Sequence, residues 1–277
     1  STRKESSAAS DVYKRQVTVD ALDRHTEGSA LVFVPGAREV DHVVADLRSR
    51  LAGIDVVGLS GAMSAREQDH ALSDPGNVRR VIVSTAVAES SLTVPGVRLV
   101  VDSGLSREPR LDRGRGMTGL VTVRESRASA VQRAGRAARL GPGVAVRCLR
   151  AQDWAGMNAD PTPEVDHADL VASLLSLAVW GSPRGEGMAL PTPLPQDRVA
   201  AAEEELRDLG AVDAEGRITA RGRHLATFPL DPRLARALTD GAAIIGSRRC
   251  AEIAAMLGLE DGQVCLLYTS DAADDSL

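Results

Sequence analysis

The run ALVFVPG at residues 30–36 is a short apolar segment that stops at a proline and a glycine. An uninterrupted apolar run bounded by turn residues is typical of a strand that is buried on both faces of a parallel sheet. Apolar residues then recur at helical spacing between Glu39 and Leu51. The apolar run therefore predicts the first strand of an α/β fold, and the helically spaced residues after it predict the first helix.

The same alternation continues along the next seventy residues. The sequence predicts strands at residues 54–59, 81–83 and 97–101, and a capping box, SARE at residues 64–67, opens a helix between the first two. Strands that alternate with helices indicate a parallel sheet with helices on both faces. Two further predictions follow: a hairpin formed by residues 105–111 and 120–123 around an arginine- and glycine-rich middle, and a closing strand at 144–149.

The last third of the chain predicts mostly helix. After a proline-containing linker at residues 158–163, we expect helices at 168–180, with Asp166 as a cap, and at 199–209. A hairpin-like tip at residues 213–216 and a short helix from Thr219 complete the outline of a winged-helix module. Residues 234–259 predict a single alanine-rich helix.

Composition excludes several classes of protein. Cysteines are too few and too dispersed for a disulfide framework or a metal cluster, which fits a reducing, cytoplasmic compartment. Without any run of eighteen apolar residues, no membrane span is expected. The net charge of −5 does not indicate nucleic-acid binding, although local basic patches matter more for such binding than the total charge does.

Hydroxyl side chains cluster after the strand at residues 81–83, in the segment STAVAESSLTVPG at residues 84–96. Open α/β sheets bind ligands at the carboxyl ends of their strands. Short hydroxyl side chains and free backbone N–H groups suit a sugar-phosphate backbone, which needs positioning without sequence readout. A loop that is merely capped by serine and threonine is the alternative, and the segment alone favours it.

Three arginines occur in QRAGRAAR at residues 132–139, separated by small residues. The second and third, Arg136 and Arg139, are three apart and share a face of a helical turn. Two planar guanidiniums on one face suit a polyphosphate, which is how an arginine finger is built. A basic helix start that faces solvent is the alternative interpretation.

These motifs together resemble the DEAH-type helicases of superfamily 2, most closely the bacterial HrpB branch. Residues 132–139 resemble motif VI, with Ala138 in place of the usual second glycine. Residues 84–93 resemble motif V, with Ala86 where the family has asparagine, and residues 31–36 resemble motif IV. The resemblance covers residues 28 to 260 and implies a second RecA-like domain, a winged helix and the start of a helical ratchet domain.

The resemblance also implies what these domains do. ATP with Mg²⁺ would be held mainly by a first RecA-like domain, because this chain has neither a GxxxxGK[ST] loop nor an Asp-Glu-x-His box. Single-stranded RNA or DNA would be the other partner. The catalytic candidates are Gln132, Arg136 and Arg139, and the nucleotide-binding candidates are Gln132, Gly135, Arg136, Arg139, Ser91 and Thr93. The nucleic-acid-binding candidates are Thr85, Ser84, Gly61, Gly36, Arg113 and Arg115.

Both ends of the chain look like translated sequencing-library adapter, so we expect residues 1–16 and 265–277 to lie outside the natural fold. The predicted domains are then a RecA-like domain at 17–157, a winged helix at 158–227 and a truncated ratchet domain at 228–264. Two functions remain open. One is the C-terminal part of an ATP-dependent helicase, inactive without its first domain. The other is a non-enzymatic module of the same fold that binds nucleic acid or protein.

Overall fold

The computed structural model describes residues 16–89, 92–112, 117–139 and 141–258. Of the predicted site residues, Ser91, Arg113 and Arg115 lie outside this description, as do the adapter-like ends apart from Gln16. The chain divides into two compact units, one formed by Ser1–Arg110 with Gly119–Thr162 and the other by Leu111–Thr118 with Pro163–Leu277.

The first unit is built on a parallel sheet of five strands in the order β2-β3-β1-β4-β7. The strands are β1 (Ser29–Phe33), β2 (Asp55–Leu59), β3 (Arg80–Ser84), β4 (Val97–Asp102) and β7 (Val144–Arg147). Between β4 and β7, β5 (Leu105–Asp112) and β6 (Met117–Arg124) pair as a separate two-stranded sheet. The predicted α/β class, the strands and the hairpin are therefore confirmed.

Helices cover both faces of the sheet. They are α1 (residues 16–24), α2 (Ala37–Arg50), α3 (Ala65–Leu72), α4 (Arg127–Gly135) and the short α5 (Ala151–Ala155). Alternate residues of β1 enter different cores: Val32 packs in a cluster with Leu22 of α1 and Leu47 of α2, while Phe33 packs in one with Ala71 of α3. This period-two division explains why the whole run is apolar.

The predicted capping box at the start of α3 is also confirmed. The Ser64 hydroxyl accepts a hydrogen bond from the Glu67 backbone N–H, and the Glu67 carboxylate accepts one from the Ser64 N–H. The box satisfies donors that the first turn of a helix leaves unpaired. Its signal could be recognised in the sequence because all of its partners lie within four residues.

The second unit contains α6 (Val171–Trp180), α7 (Gln196–Asp208), α8 (Ala220–Leu225), α9 (Pro232–Ile245) and α10 (Ser247–Gly258). An antiparallel bridge joins Val212 to Ile218 around the predicted hairpin tip, and Thr219 caps α8 as expected. Helices α6 to α9 contribute to one apolar cluster that includes Leu174, Leu206 and Leu225.

Two predictions for the second unit are wrong. Asp166 does not cap α6, because it lies in a separate 3-10 turn; Asp169 accepts a hydrogen bond from the Val171 N–H instead. The single helix expected at residues 234–259 is divided into α9 and α10 by Gly246, whose positive φ of 87° a helix cannot accommodate. In the described part of the chain, every helix is too short or too polar to span a membrane.

Candidate nucleotide and nucleic-acid interface

The two motif segments meet beside the carboxyl end of the sheet. The first, which we call the motif V segment (residues 84–93), leaves β3 and makes a 3-10 turn at Ala86–Ala88. The second, the motif VI segment (residues 126–139), begins at the Ser126 N-cap, continues as α4 and tightens into a 3-10 turn at Arg136–Ala138. Three arginines of this segment, Arg133, Arg136 and Arg139, lie in three different environments.

Arg133 is the most completely buried of the three, with a side chain only 1% exposed. Its Nε donates to Glu89 at 2.9 Å, and its Nη1 donates to Asp102 at 3.0 Å and to the Leu105 carbonyl at 3.1 Å. Its guanidinium lies 5.0 Å from the centre of the Phe33 ring. Arg133 thus joins the motif VI helix to the motif V segment, to the end of β4 and to the start of β5.

Glu125 adds a third carboxyl group to this buried cluster. Its side chain is 0% exposed, and its Oε2 lies 2.5 Å from Nη1 of Arg133. Burial, followed by the negative charge of Asp102, raises the pKa of Glu125 to about 9, although the charge of Arg133 opposes the shift. Oε1 of Glu125 and Oδ2 of Asp102 are both buried without a hydrogen-bond donor. A proton held by Glu125 supplies that donor, so the cluster is best described as one cation, two carboxylates and one carboxylic acid.

Arg136 lies against the motif V segment and is half-buried. Its Nε donates to the Glu89 carbonyl at 2.8 Å, with a second short contact from Nη2, and its Nη1 donates to the Leu92 carbonyl at 2.8 Å. Burial and the nearby charge of Arg139 lower the pKa of Arg136. This guanidinium uses three of its five N–H donors to hold its own domain.

Arg139 is exposed, and its Nη1 donates to the Thr93 hydroxyl at 2.9 Å. Within the residues that the structure describes, neither Arg136 nor Arg139 forms a salt bridge with a carboxylate. Their partners are carbonyl and hydroxyl oxygens, which leave the positive charges uncompensated. Arg133, in contrast, is surrounded by three carboxyl groups. The structure thus separates one arginine that is paired with buried carboxyl groups from two that donate to neutral oxygens.

The remaining predicted nucleotide contacts lie near this pair. Gln132 is exposed on α4, and Gly135 is exposed at the end of that helix, with open space around the position of a Cβ atom. Ala138 and Ala86, where the sequence departs from the family pattern, are both exposed. The extra methyl group of Ala138 consequently does not enter the packed side of its turn.

The predicted nucleic-acid contacts divide into exposed and covered residues. Gly61 is exposed and Thr85 is half-buried. Ser84, however, is fully buried and its hydroxyl donates to the Thr85 carbonyl, so its side chain is not available to a ligand. Gly36 is also buried: a Cβ atom there would lie 2.6 Å from the Arg107 guanidinium carbon. Its glycine makes room for Arg107 rather than for a nucleic-acid strand.

The sequence analysis missed the buried cluster of Arg133, Asp102 and Glu125. Its members come from separate elements, and Arg133 lies 31 positions from Asp102. Glu125 alone carried a signal, because it directly precedes the Ser126 cap of a helix that packs on the sheet. Glu89 of the motif V segment accepts hydrogen bonds from Arg133 and Ser129 of α4.

Comparison with known proteins agrees with this architecture. Residues 13–141 match the model of the helicase conserved C-terminal domain, and residues 202–230 match the helicase-associated domain (HA2), winged-helix. The ATP-dependent RNA helicase HrpB of Escherichia coli is 38% identical over 237 residues, which are 84% of this chain and 29% of that protein. A probable ATP-dependent RNA helicase of Caenorhabditis elegans, the DHX35 homolog, is 33% identical over 88% of this chain and 35% of its own length.

Solved structures give the same result. A crystal structure of the Escherichia coli DEAH/RHA helicase HrpB superposes with a TM-score of 0.80 at 35% identity, over 88% of this chain and 31% of that one. A second HrpB crystal structure gives a TM-score of 0.75 over 90% of this chain. The chain spans about a third of the length of these relatives. It belongs to the DEAH-type helicases of superfamily 2, as their conserved C-terminal domain followed by the helicase-associated winged helix.

Proposed function

We propose that this chain is the C-terminal part of the motor of an ATP-dependent RNA helicase, and that it supplies arginines to ATP bound by a first RecA-like domain. The observation that carries the proposal is the contrast among the three motif VI arginines. Arg133 is neutralised in the core, whereas Arg136 and Arg139 donate to neutral oxygens and keep their charges. Uncompensated guanidinium charge at a domain edge suits a polyphosphate.

The two arginines have different tasks in this proposal. Arg139 is exposed and has four N–H donors left, so it reaches the charge that develops on the transferring γ-phosphoryl group. Arg136 has two donors left; it contacts the nucleotide while its other donors hold the Glu89 and Leu92 carbonyls. Gln132 is exposed on α4, one turn before Arg136, and helps to position the nucleotide or a water molecule.

The motif V segment carries the second task, which is to grip the nucleic-acid backbone. Thr85 and neighbouring backbone N–H groups contact phosphates, without reading the sequence. Because Arg136 donates to carbonyls of this same segment, occupancy of the nucleotide site is coupled to the position of the strand-gripping loop. Each round of ATP binding and hydrolysis then changes the hold on the strand.

Mg²⁺ belongs to the first domain in this proposal. Among the residues that the structure describes, no group of three or more His, Cys, Asp or Glu side chains could hold a metal ion. When bound there, the metal would supply charge neutralisation for phosphoryl transfer. The described residues of this chain contribute cationic side chains to the same reaction.

Comparison of the chain alone with a paired protein tests the proposal. We expect the chain alone to bind ATP weakly and to hydrolyse essentially none. Fused to the first RecA-like domain of an HrpB-type helicase, it should hydrolyse ATP and respond to single-stranded RNA. Robust turnover by the isolated chain would overturn the proposal. A fusion that binds RNA without hydrolysing ATP would favour the non-enzymatic module.

A further inference from the structure

A second group of arginines lies around β7, the outer strand of the sheet, and belongs to neither the motif V segment nor the motif VI segment. Arg147 ends β7 and Arg124 ends β6, while Arg150, Asp153 and Trp154 belong to the start of α5 and to α5 itself. We call these five residues the basic-aromatic patch. In register, Arg147 is paired with Asp102, so the patch lies at the carboxyl edge of the sheet, the edge that also carries the motif V segment.

One carboxylate organises two of the arginines. Asp153 accepts from Arg124 at 2.8 Å and from Arg150 at 2.8 Å, although these arginines come from different elements. Hydrogen bonding from Arg150 lowers the pKa of Asp153, which keeps this bridge ionised. Both arginines remain more than half exposed, at 54% and 75%. They are therefore oriented in advance and still accessible to an anion.

The third arginine lies over an aromatic ring. The Arg147 guanidinium lies 4.4 Å from the centre of the Trp154 ring, and Arg147 is exposed. Among the described side chains, Asp153 is the acid that pairs with this patch, against three arginines. A surplus of positive charge beside an exposed guanidinium plane combines two features that single-stranded nucleic acids recognise, phosphate neutralisation and base stacking.

We propose that the basic-aromatic patch binds single-stranded nucleic acid, with phosphates on Arg124 and Arg150 and a base stacked on the Arg147–Trp154 pair. The inference rests on the proposed function, because it extends the strand path beyond the motif V segment. The strand order places β7 three interstrand spacings, about 14 Å, from β3. A single nucleic-acid strand that crosses this edge of the sheet therefore reaches both the patch and the motif V segment. An acidic protein segment would pair with the arginine charges of the patch but has no base to stack on the Arg147–Trp154 pair.

Binding of a labelled oligouridylate to the chain tests the patch. Arg147→Gln and Trp154→Leu should each weaken binding about fivefold or more, the effect of losing one stacked base. Trp154→Phe keeps an aromatic ring and should bind like the unaltered chain. Arg50→Gln is the matched control: Arg50 is also exposed and ion-paired, but it ends α2, whose last turn leads to the opposite edge of the sheet.

Salt dependence and tryptophan emission give independent readings. Removing Arg150 should flatten the slope of log K against log salt by about 0.7, the loss of one phosphate contact on a single strand. In a Trp180→Phe background Trp154 is the sole tryptophan, and oligouridylate should quench its emission. Unchanged affinity in all patch variants would overturn the proposal, and so would equal binding of polyglutamate.

The outcomes also separate this inference from the function on which it rests. Patch variants that bind RNA normally would reject the patch alone, because ATP hydrolysis by the fused protein depends on Arg136 and Arg139. A fused protein that hydrolyses no ATP, together with patch variants that bind oligouridylate about fivefold more weakly than the unaltered chain, would reject the proposed function and support the patch. A chain that binds no oligouridylate at all would overturn both the patch and the strand grip assigned to the motif V segment.

Discussion

Glu125 shows how one buried side chain makes the fold sensitive to pH. Burial beside Asp102 raises its pKa to about 9, far above its ordinary value of 4.5. Between these values the folded chain holds a proton that the unfolded chain has released. The free energy of unfolding therefore falls as pH rises through this window, by at most about 1.4 kcal/mol per pH unit for one proton. Below this pH range Glu125 is protonated in both the folded and the unfolded chain, and above it Glu125 is protonated in neither.

Glu125→Gln tests this pH dependence, because glutamine keeps the shape and cannot ionise. Urea unfolding, followed by Trp154 emission in the Trp180→Phe background, reports on the first unit. We expect the unfolding free energy of the variant to fall less between about pH 5 and pH 9 than that of the unaltered chain. The variant should therefore become relatively more stable as pH rises. Parallel curves for the two proteins would contradict the assignment of a proton to Glu125.

Arg133 is the cation that this acidic cluster requires. Arg133→Ala would leave Asp102 and Glu89 without their partner in a buried site, and we expect a loss of about 3–5 kcal/mol in unfolding free energy. Arg133→Lys should lose less, since it keeps the charge but not the several directed donors. Chemical denaturation of the three proteins measures the difference. A neutral effect of Arg133→Ala would show that the cluster does not hold the two motif segments together.

At the scale of elements, the 3-10 turn that ends the motif VI segment depends on a close approach by Gly143. A Cβ atom on Gly143 would lie 2.0 Å from the Ala137 carbonyl oxygen, which is backbone and cannot move aside cheaply. Ala137 is the middle residue of the turn between Arg136 and Ala138. Any displacement of that turn moves both arginines that we assign to the nucleotide.

Gly143→Ala should therefore lower both stability and ATP hydrolysis in the fused protein. Gly119→Ala is the matched control, because it is the same chemical change at a position with nothing within 4 Å of a new Cβ. Thermal denaturation and steady-state ATP turnover provide the measurements. Equal effects of the two substitutions would mean that the approach to Ala137 does not position the arginines.

The elements that sequence could predict are those defined by neighbours in the chain. The apolar run of β1 and the Ser64–Glu67 capping box have all their determinants within a few residues. The division of α9 from α10 at Gly246 was missed because a lone glycine is tolerated within many helices. Asp166 satisfied the pattern for a cap, but the chain makes a 3-10 turn there and starts α6 later.

On the scale of the whole molecule, the sequence motifs predicted where the arginines lie but not how they differ. Arg133, Arg136 and Arg139 have the same side chain within one short segment. Their roles are set by Glu89, Asp102, Leu92 and Thr93, which are distant in sequence and come together only in the fold. Local spacing cannot reveal which arginine is neutralised, because that depends on tertiary partners.

Steady-state ATP turnover of the fused protein, with Arg139 replaced by alanine, tests the central claim most directly. We predict that Arg139→Ala lowers kcat about a thousandfold or more, the effect of removing an arginine finger. Arg136→Ala should also lower kcat and should weaken coupling to RNA, while Arg50→Gln should leave turnover unchanged. Turnover by Arg139→Ala equal to that of the unaltered fusion would contradict the claim that this exposed, charge-uncompensated side chain acts on the nucleotide.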